Sequence, residues 1–290
     1  MNQSCEIRPA LVIVLYNPTY DDLHHARMMA DENEGMIVDN STLPNFADER
    51  VGKMRYCCFE ANLGIAEAQN RALRTLMTDV EAAYTHFVLL DQDSRPAKDF
   101  PRMMAEEYEA AASTAGVEQI AAIGPTIVNK STGEAYTSAF HSAPTGTEHF
   151  ARQREIIASG MCIARWALNE VGLNDASLFI DMVDHEWCWR ATSKGYAVGT
   201  TPQVELAHAV GRPPIRIGRH TILTAAPMRY YYLCRNYLLL VRRPYVPTQW
   251  KLAMGVKRAA AFFIIPFTQR DGLSALRQMF RGVFHGLKRH

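Results

Sequence analysis

Runs of apolar residues broken by short polar turns set the pattern of the first two-thirds of the chain. Ala10-Leu11-Val12-Ile13-Val14-Leu15-Tyr16 holds no charged residue and predicts a strand buried on both faces. Asn17-Pro18 breaks it, and Asp21–Glu34 predicts a helix. Gly35–Asn40 predicts a second strand, ending in a carboxylate and an amide, and Met54–Phe59 a third. Gly64 makes a turn into a helix that starts near Ile65 and runs to about Val80. On it Ala66 and Asn70, spaced i and i+4, share a face small enough for a sheet or a ligand to approach. The next strand is His86–Asp91, followed by a helix over Asp99–Ala115 and a strand, Gln119–Pro125, stopped by its proline. Thr132–Phe150 is polar and predicts a loop. Ile156–Ile163 predicts a strand whose centre, Ser159-Gly160, is small enough to put backbone against a ligand. Trp166–Val171 predicts a short helix, and a longer one begins at Asp181 as N-cap and ends at Gly195 as C′ residue. Tyr196–Thr200 and Val204–Gly211 predict further strands. Strands alternating with helices imply an α/β fold with a mainly parallel, Rossmann-like sheet.

The chemistry centres on the end of one strand. Asp91 and Asp93 are spaced i and i+2, so in extended chain both point to one side and Gln92 to the other. Like charges this close repel, and a hard divalent cation such as Mg2+ or Mn2+ would relieve the repulsion. In an open α/β sheet ligands sit beyond the carboxyl ends of the strands, where this pair falls. A solvated turn built from Asp and Ser is the alternative.

The texture changes near residue 216. Up to residue 215 there are 17 Lys and Arg against 29 Asp and Glu; from Arg216 onward there are 14 against Asp271 alone, which together give the net charge of +1. Met228–Leu240, Trp250–Phe267 and Leu273–Leu287 predict three basic, apolar helices, the first closed by Pro244 and Pro247. The chain therefore divides into 1–215, an acidic α/β domain, and 216–290, a basic helical region. Basic amphipathic helices with Trp and Phe suit an anionic membrane surface, or a contact between two copies. No nucleic-acid-binding motif accompanies them. The longest uncharged apolar run, Ala259–Phe267, is too short to span a bilayer. Met1–Ala10 lacks the apolar core of a secretory leader, and none of the six cysteines forms a C-x-x-C pair, so reduced thiols in a cytoplasm are expected.

Leu11–Pro18, Asp39-Asn40, Asn62–Asn70, Asp91-Gln92-Asp93-Ser94, Ser159-Gly160, Val183–Arg190 and His208–Gly211 occur in an order that resembles inverting GT-A glycosyltransferases of family 2. The likeness is strongest to bacterial rhamnosyltransferases, whose metal motif often reads D-Q-D-S, and covers about residues 8 to 240. The resemblance implies a GT-A fold and a nucleotide-sugar donor. Asp39 would read the base, with Tyr16 and Asn17 nearby; Asn62, Gly64, Asn70 and Gln92 would complete the donor site. Asp93 would bind the metal and Asp91 the metal or the ribose, with His208 as third ligand. Ser159 and Gly160 would lie against the donor sugar or the acceptor. Asp184 matches the general base, although Val183 stands where the family carries Glu. Glu186, Trp187 and Arg190 would face the acceptor.

The implied reaction moves L-rhamnose from dTDP-β-L-rhamnose to a hydroxyl of a lipid-linked or cell-envelope glycan, at the cytoplasmic face of the membrane. A UDP-sugar such as UDP-galactofuranose is the alternative donor. From other classes, a haloacid dehalogenase-type phosphatase would use a strand followed by D-x-D-S, and a non-catalytic nucleotide-sugar-binding protein would tolerate Val183. The phosphatase motif usually opens its fold, whereas here about 80 residues precede it.

Overall fold

The computed structural model describes residues 6–113, 119–129, 147–208, 215–217, 220–222 and 224–288. Most of the polar loop expected over 132–150 lies outside them. β1 (Pro9–Leu15), β2 (Gly35–Asp39), β4 (Met54–Cys58) and β5 (His86–Asp91) form a parallel block, with the two-residue β3 (Arg50–Val51) on its edge. The second half of the sheet comprises β6 (Ile120–Asn129), β7 (Ala151–Gln153), β8 (Cys162–Ala164) and β9 (Ala197–His208). All nine strands join in the order β3-β4-β2-β1-β5-β8-β6-β9-β7. β8 is antiparallel to both β5 and β6, which makes the sheet mixed. Six of the seven residues of β1 are buried, as expected of a strand with cover on both faces.

Helices supply that cover. α1 (Tyr20–Glu32) starts on a capping box in which Thr19 and Asp22 each bond the other's backbone N–H. α2 (Ile65–Met77) packs on β1 and β2, and α3 (Phe100–Ser113) lies across β1, β5 and β6. α4 (Arg165–Val171) follows β8, and α5 (Val183–Ser193) packs on β9. A hairpin of β10 (Ile215–Ile217) and β11 (His220–Ile222) precedes three long helices, α6 (Pro227–Val241), α7 (Thr248–Thr268) and α8 (Gly272–Lys288).

Some expectations are corrected. Pro125 does not stop its strand: β6 runs on to Asn129 in parallel pairing with β9, and the register shifts between Pro125 and Thr126. β8 pairs with β6 only through Ala122 and Ile123, so the missing proline N–H deprives no ladder bond there. Of the strand expected over Ile156–Ile163 only the end is extended, because β8 starts at Cys162. The two strands expected after Tyr196 are one, β9. Asp181 is not the N-cap of α5; that position belongs to Met182, in left-handed conformation and without a side-chain cap.

The basic helices are welded to the sheet domain. Leu240, Val246 and Trp250 share a buried cluster with Ala66 of α2, Leu178, and Val183 and Trp189 of α5. The described cysteines are all free. Among the described residues no helix is long and apolar enough to cross a membrane.

Candidate active site

β1, β2 and β5 run in parallel and end at one edge of the sheet, with Asp39 opposite Leu15 and Asp91 opposite Val14. Beyond β5 the chain turns at once. Ser94 N–H donates to the Asp91 carbonyl, and the buried Ser94 hydroxyl lies 2.6 Å from that of Ser159. Gln92 turns back onto β1, accepting the Tyr16 N–H at 2.7 Å and donating to the Tyr16 carbonyl at 3.2 Å. Arg95 ties the turn to α1 through Asp21 and Asp22 and donates to the Gln92 carbonyl. The D-Q-D-S segment is thus braced from three sides, with half-buried Asp91 and exposed Asp93 left facing the cleft.

The third carboxylate comes from α5. Asp184 sits in its first turn, where Oδ2 accepts the Ala158 N–H at 3.1 Å and Oδ1 the His185 N–H at 2.9 Å. Burial, then the charge of Asp93 and that of Asp184, push the Asp91 carboxyl up to about 7. Among the described residues neither Asp91 nor Asp93 takes part in an ion pair. Two convergent carboxylates without a protein cation are a donor set that fits a hard divalent ion. The backbone of His208 ends β9 opposite Asn129, but its side chain lies outside the described residues.

The entrance to α5 is unusual. A one-turn helix, Ala176–Leu178, is capped by Asp175 and followed by Phe179, Asp181 and Met182 at φ 66°, 67° and 66°. None is glycine, and each such conformation costs roughly 1–3 kcal/mol unless its surroundings impose it. Residues of α6 impose it. Asn236, fully buried, aims its amide nitrogen at the carbonyls of Leu178, Ile180 and Asp181 at 3.0, 2.7 and 3.0 Å. Arg235 donates to the carbonyls of Ser177 and Leu178 at 2.7 and 2.8 Å. Phe179 stacks on Tyr232 with ring centroids 4.7 Å apart, and Arg229 grips the Asp181 carboxylate through Nε and Nη2. From α2's side, Gly64 at φ +81° lets the chain pass so close that a Cβ would lie 2.6 Å from the Phe179 ring and carbonyl.

Several residues expected to touch substrate have partners within the fold. Asp39 has no exposed surface, and its oxygens accept from Ser41 N–H, the Asn45 backbone and amide, and Tyr56 OH, so it ties down the 41–46 loop. Asn70 is 1% exposed with both ends of its amide on the backbone of Asn174. Ser159 is equally buried on Ser94, and Gly160 at φ +83° packs on the Pro125 ring. Glu186, 1% exposed, pairs with Arg190 and Arg243 and accepts from Tyr245. Trp187 is buried on the Gly172 carbonyl, and Arg190 is spent on Glu186 and the carbonyls of Val171 and Leu173. In the fold, Glu186 and Arg190 thus bond to each other, and Trp187 and Arg190 to the backbone of 171–173.

Tyr16, Asn17 and Asn62 remain exposed at the rim. Arg235 and Asn236 escaped the sequence reading, and Asp181 was read only as an N-cap, not as the partner of Arg229. An Arg-Asn pair on an apolar helix, in register to bury both, was the one signal available.

No protein-family model matches the chain. It is 26% identical over 291 residues, covering 96% of this chain and 94% of the other, to the protein of Shigella flexneri called dTDP-rhamnosyl transferase RfbF. Among solved structures it is similar to residues 1–349 of S. aureus TarS in complex with UDP-GlcNAc, with a TM-score of 0.53, 12% identity, and 97% of this chain and 81% of that one covered. Against a longer TarS chain the TM-score is 0.50 and the identity 13%, over 92% of this chain but 45% of TarS, so the present chain spans less than half of that protein. At such identities a structural likeness speaks for the fold alone.

Proposed function

We propose that this chain, a glycosyltransferase of the GT-A fold, moves L-rhamnose from dTDP-β-L-rhamnose to a hydroxyl of a lipid-linked or cell-envelope polysaccharide, inverting the anomeric centre. The observation that carries the reading is the convergence of three carboxylates. Asp91 ends a parallel strand and Asp93 lies in the turn that follows, at the edge where such sheets bind ligands, and the charge of Asp184 reaches Asp91 from the start of α5. The relative from S. flexneri supports the choice of donor, and its coverage of nearly the whole chain supports the choice of reaction. The likeness to TarS in overall fold and to the relative from S. flexneri over nearly the whole chain supports the transferase reading over the phosphatase one.

In this reading Asp184 takes the proton from the acceptor hydroxyl, which then attacks the anomeric carbon from the face opposite the leaving dTDP. Its two backbone N–H bonds hold the carboxylate in one rotamer while leaving lone pairs for the proton. Help of this kind is worth roughly 10²–10⁴-fold. Tyr16, Asn17 and Asn62 line the rim on the nucleotide side, and Gln92 fixes the first of them. Mg2+ or Mn2+ held by Asp91 and Asp93, with His208 as the third ligand, would supply positive charge for the departing diphosphate. Val183 is buried against Trp189 and Trp250, so the position before the base serves packing here.

The exposed faces of α7 and α8 support a site at the membrane surface. Leu252, Val256, Phe263 and Phe267 form a stripe on α7, and Leu273, Phe280, Phe284 and Leu287 one on α8; Phe267 is 88% exposed. Arg277, Arg281 and Lys288 lie among the α8 residues, and a second copy of the same face would set like charges together. An anionic bilayer matches both the apolar stripe and the charge. Phe280→Ser with Phe284→Ser should abolish sedimentation with phosphatidylglycerol vesicles; unchanged sedimentation would discard the membrane.

The direct test is a thermal-shift panel of dTDP-rhamnose, UDP-N-acetylglucosamine, UDP-galactofuranose and GDP-mannose, with and without Mn2+. A ligand at about 100 times its Kd stabilises by about 2.7 kcal/mol. A Mn2+-dependent shift with dTDP-rhamnose that Asp93→Ala removes supports donor and metal together. A shift with a UDP-sugar alone keeps the fold and replaces the donor. Asp184→Asn should lose turnover while still binding donor; loss of binding as well would make Asp184 structural.

A further inference from the structure

The carboxylate at the start of α5 is held in place by a helix that begins more than forty residues after it. Helices usually begin on an extended residue whose side chain caps the first turn. α5 begins on Met182 in left-handed conformation with no side-chain cap. Its direction must come from elsewhere, and the segment before it, with three non-glycine residues at positive φ, has no preference of its own for that path.

Asn236 supplies the restraint. Its amide nitrogen faces the carbonyls of Leu178, Ile180 and Asp181, the peptide units that frame the positive-φ residues. Its orientation is not free to reverse. Its oxygen accepts Nε and Nη2 of Arg235 at 3.1 and 2.8 Å, and a guanidinium only donates, so the nitrogen must face the carbonyls. Arg235 is fixed in turn by Ser177 and Leu178 and lies over the Tyr232 ring, which stacks on Phe179. Behind them α8 packs onto α6 at its glycines, Gly282 against the Tyr231 carbonyl and Gly286 against that of Arg235. The strut is rigid along its length, and it ends on the residues leading directly into Asp184.

We infer that Asn236, oriented by Arg235, is a positioning residue for the transfer reaction: it fixes the left-handed entrance to α5 and thereby the place of the Asp184 carboxylate. The inference rests on Asp184 being the base. Misplacement of a reacting group by about 1 Å is enough to lose about 10²-fold in rate. The role predicts a loss in kcat larger than any loss in donor affinity, because the network ends on the residues leading into Asp184 and meets the donor side only where Phe179 packs on Gly64.

The experiment is a double-mutant comparison in the full chain. Turnover is followed as dTDP release from dTDP-rhamnose with water as acceptor, donor binding by calorimetry, and folding by circular dichroism. Asn236→Ala should lower kcat by about 10²-fold, with any loss in donor affinity smaller. In the Asp184→Asn background the same substitution should cost nothing further, since residues acting as a unit are not additive. Full turnover in a folded Asn236→Ala protein, or an equal loss in both backgrounds, overturns the inference while leaving the base intact. Full turnover of Asp184→Asn overturns the base reading instead. Should the alanine variant fail to fold, Asn236→Gln keeps the amide but displaces it by one methylene, and wild-type kcat from that variant overturns the inference equally.

Discussion

His86 makes the stability of the fold depend on acid in a direction that can be worked out. It opens β5 at the end of the sheet away from the carboxylates, pairs with Pro9 and Ala164, and meets Tyr108 edge to face at 4.7 Å. Its Nε2 lies 3.3 Å from Glu109, which by itself would favour the imidazolium. The two partners are unequally dry, with side chains 3% and 51% exposed. Water screens the carboxylate, while the ring must shed its hydration to be charged, so burial wins and lowers the His86 pKa from 6.5 to about 4. The native protein therefore keeps a neutral ring at pH values where the unfolded chain already binds a proton. Stability from this residue is complete above about pH 6.5 and is lost as pH falls towards 4. With each pKa step worth about 1.4 kcal/mol, the loss is about 2 kcal/mol by pH 5 and about 3 by pH 4. Urea unfolding of the wild type and of His86→Gln at pH 7 and pH 5 measures it as a difference of differences, which removes every other titrating group. The variant should lose about 2 kcal/mol less than the wild type on acidification. An identical pH dependence would refute the reasoning. A wild type that gains stability from His86 at pH 5 would show that the Glu109 ion pair outweighs burial.

Three further substitutions test the reassigned residues. Glu186→Ala should destabilise by about 3–5 kcal/mol in urea, because it strands Arg190 without its buried carboxylate, while Arg243 keeps Asp175; a stable variant with a raised acceptor KM would support the acceptor role. Asn70→Ala should cost about 1–3 kcal/mol of stability by orphaning the Asn174 backbone, with calorimetric donor affinity unchanged. Gly64→Ala should lower stability by more than about 1 kcal/mol, since the position needs φ +81° and the new Cβ would lie 2.6 Å from Phe179; because Phe179 belongs to the entrance of α5, kcat should fall with it, and an unaffected melting temperature would contradict the packing.

How much of this was legible in the sequence depended on how local the cause is. β1 and β5 of the parallel block could be read because each is buried on both faces and so carries an unbroken apolar run, from Ala10 to Leu15 and from Phe87 to Leu90. Asp91 was legible as the end of its strand, but the strand alternation expected to align Asp93 with it stops there, because Gln92 and Asp93 already form the turn; Gly195 at φ +90° was legible as the end of α5. The error at Pro125 arose because a proline stops a strand only if a neighbour needs its N–H, and which neighbour is present is a property of the sheet. Asp39, Asn70 and Glu186 show a second limit. A polar residue beside a motif looks the same in sequence whether it faces a ligand or a buried backbone group; burial and partners decide, and these partners lie from two to 104 residues away. Nor could residues 179–182 announce their conformation, since none of the residues there at positive φ is a glycine.

The division of the chain at residue 215 followed charge, and charge describes the outer surface of the last three helices while their inner surface follows a different rule. Toward the sheet domain α6 presents Arg235, Asn236 and Leu240, all buried, and α7 presents Trp250, which meets Trp189 of α5 at 4.9 Å. Toward solvent α7 and α8 present phenylalanines and cations. One unit thus faces the base on one side and the proposed membrane on the other. A truncation after Pro244 would strip the outer surface, but it would also remove Val246 and Trp250 from the cluster that seats Val183 beside Asp184. Lost vesicle binding and lost turnover in such a variant would then have separate causes. Substitutions confined to the exposed stripe of α8 keep them apart: they leave Gly282, Gly286 and the carbonyls those glycines pack on untouched, so the strut behind Asn236 stands while the membrane face changes. An enzyme released from vesicles but still turning over a soluble donor is the result this architecture requires.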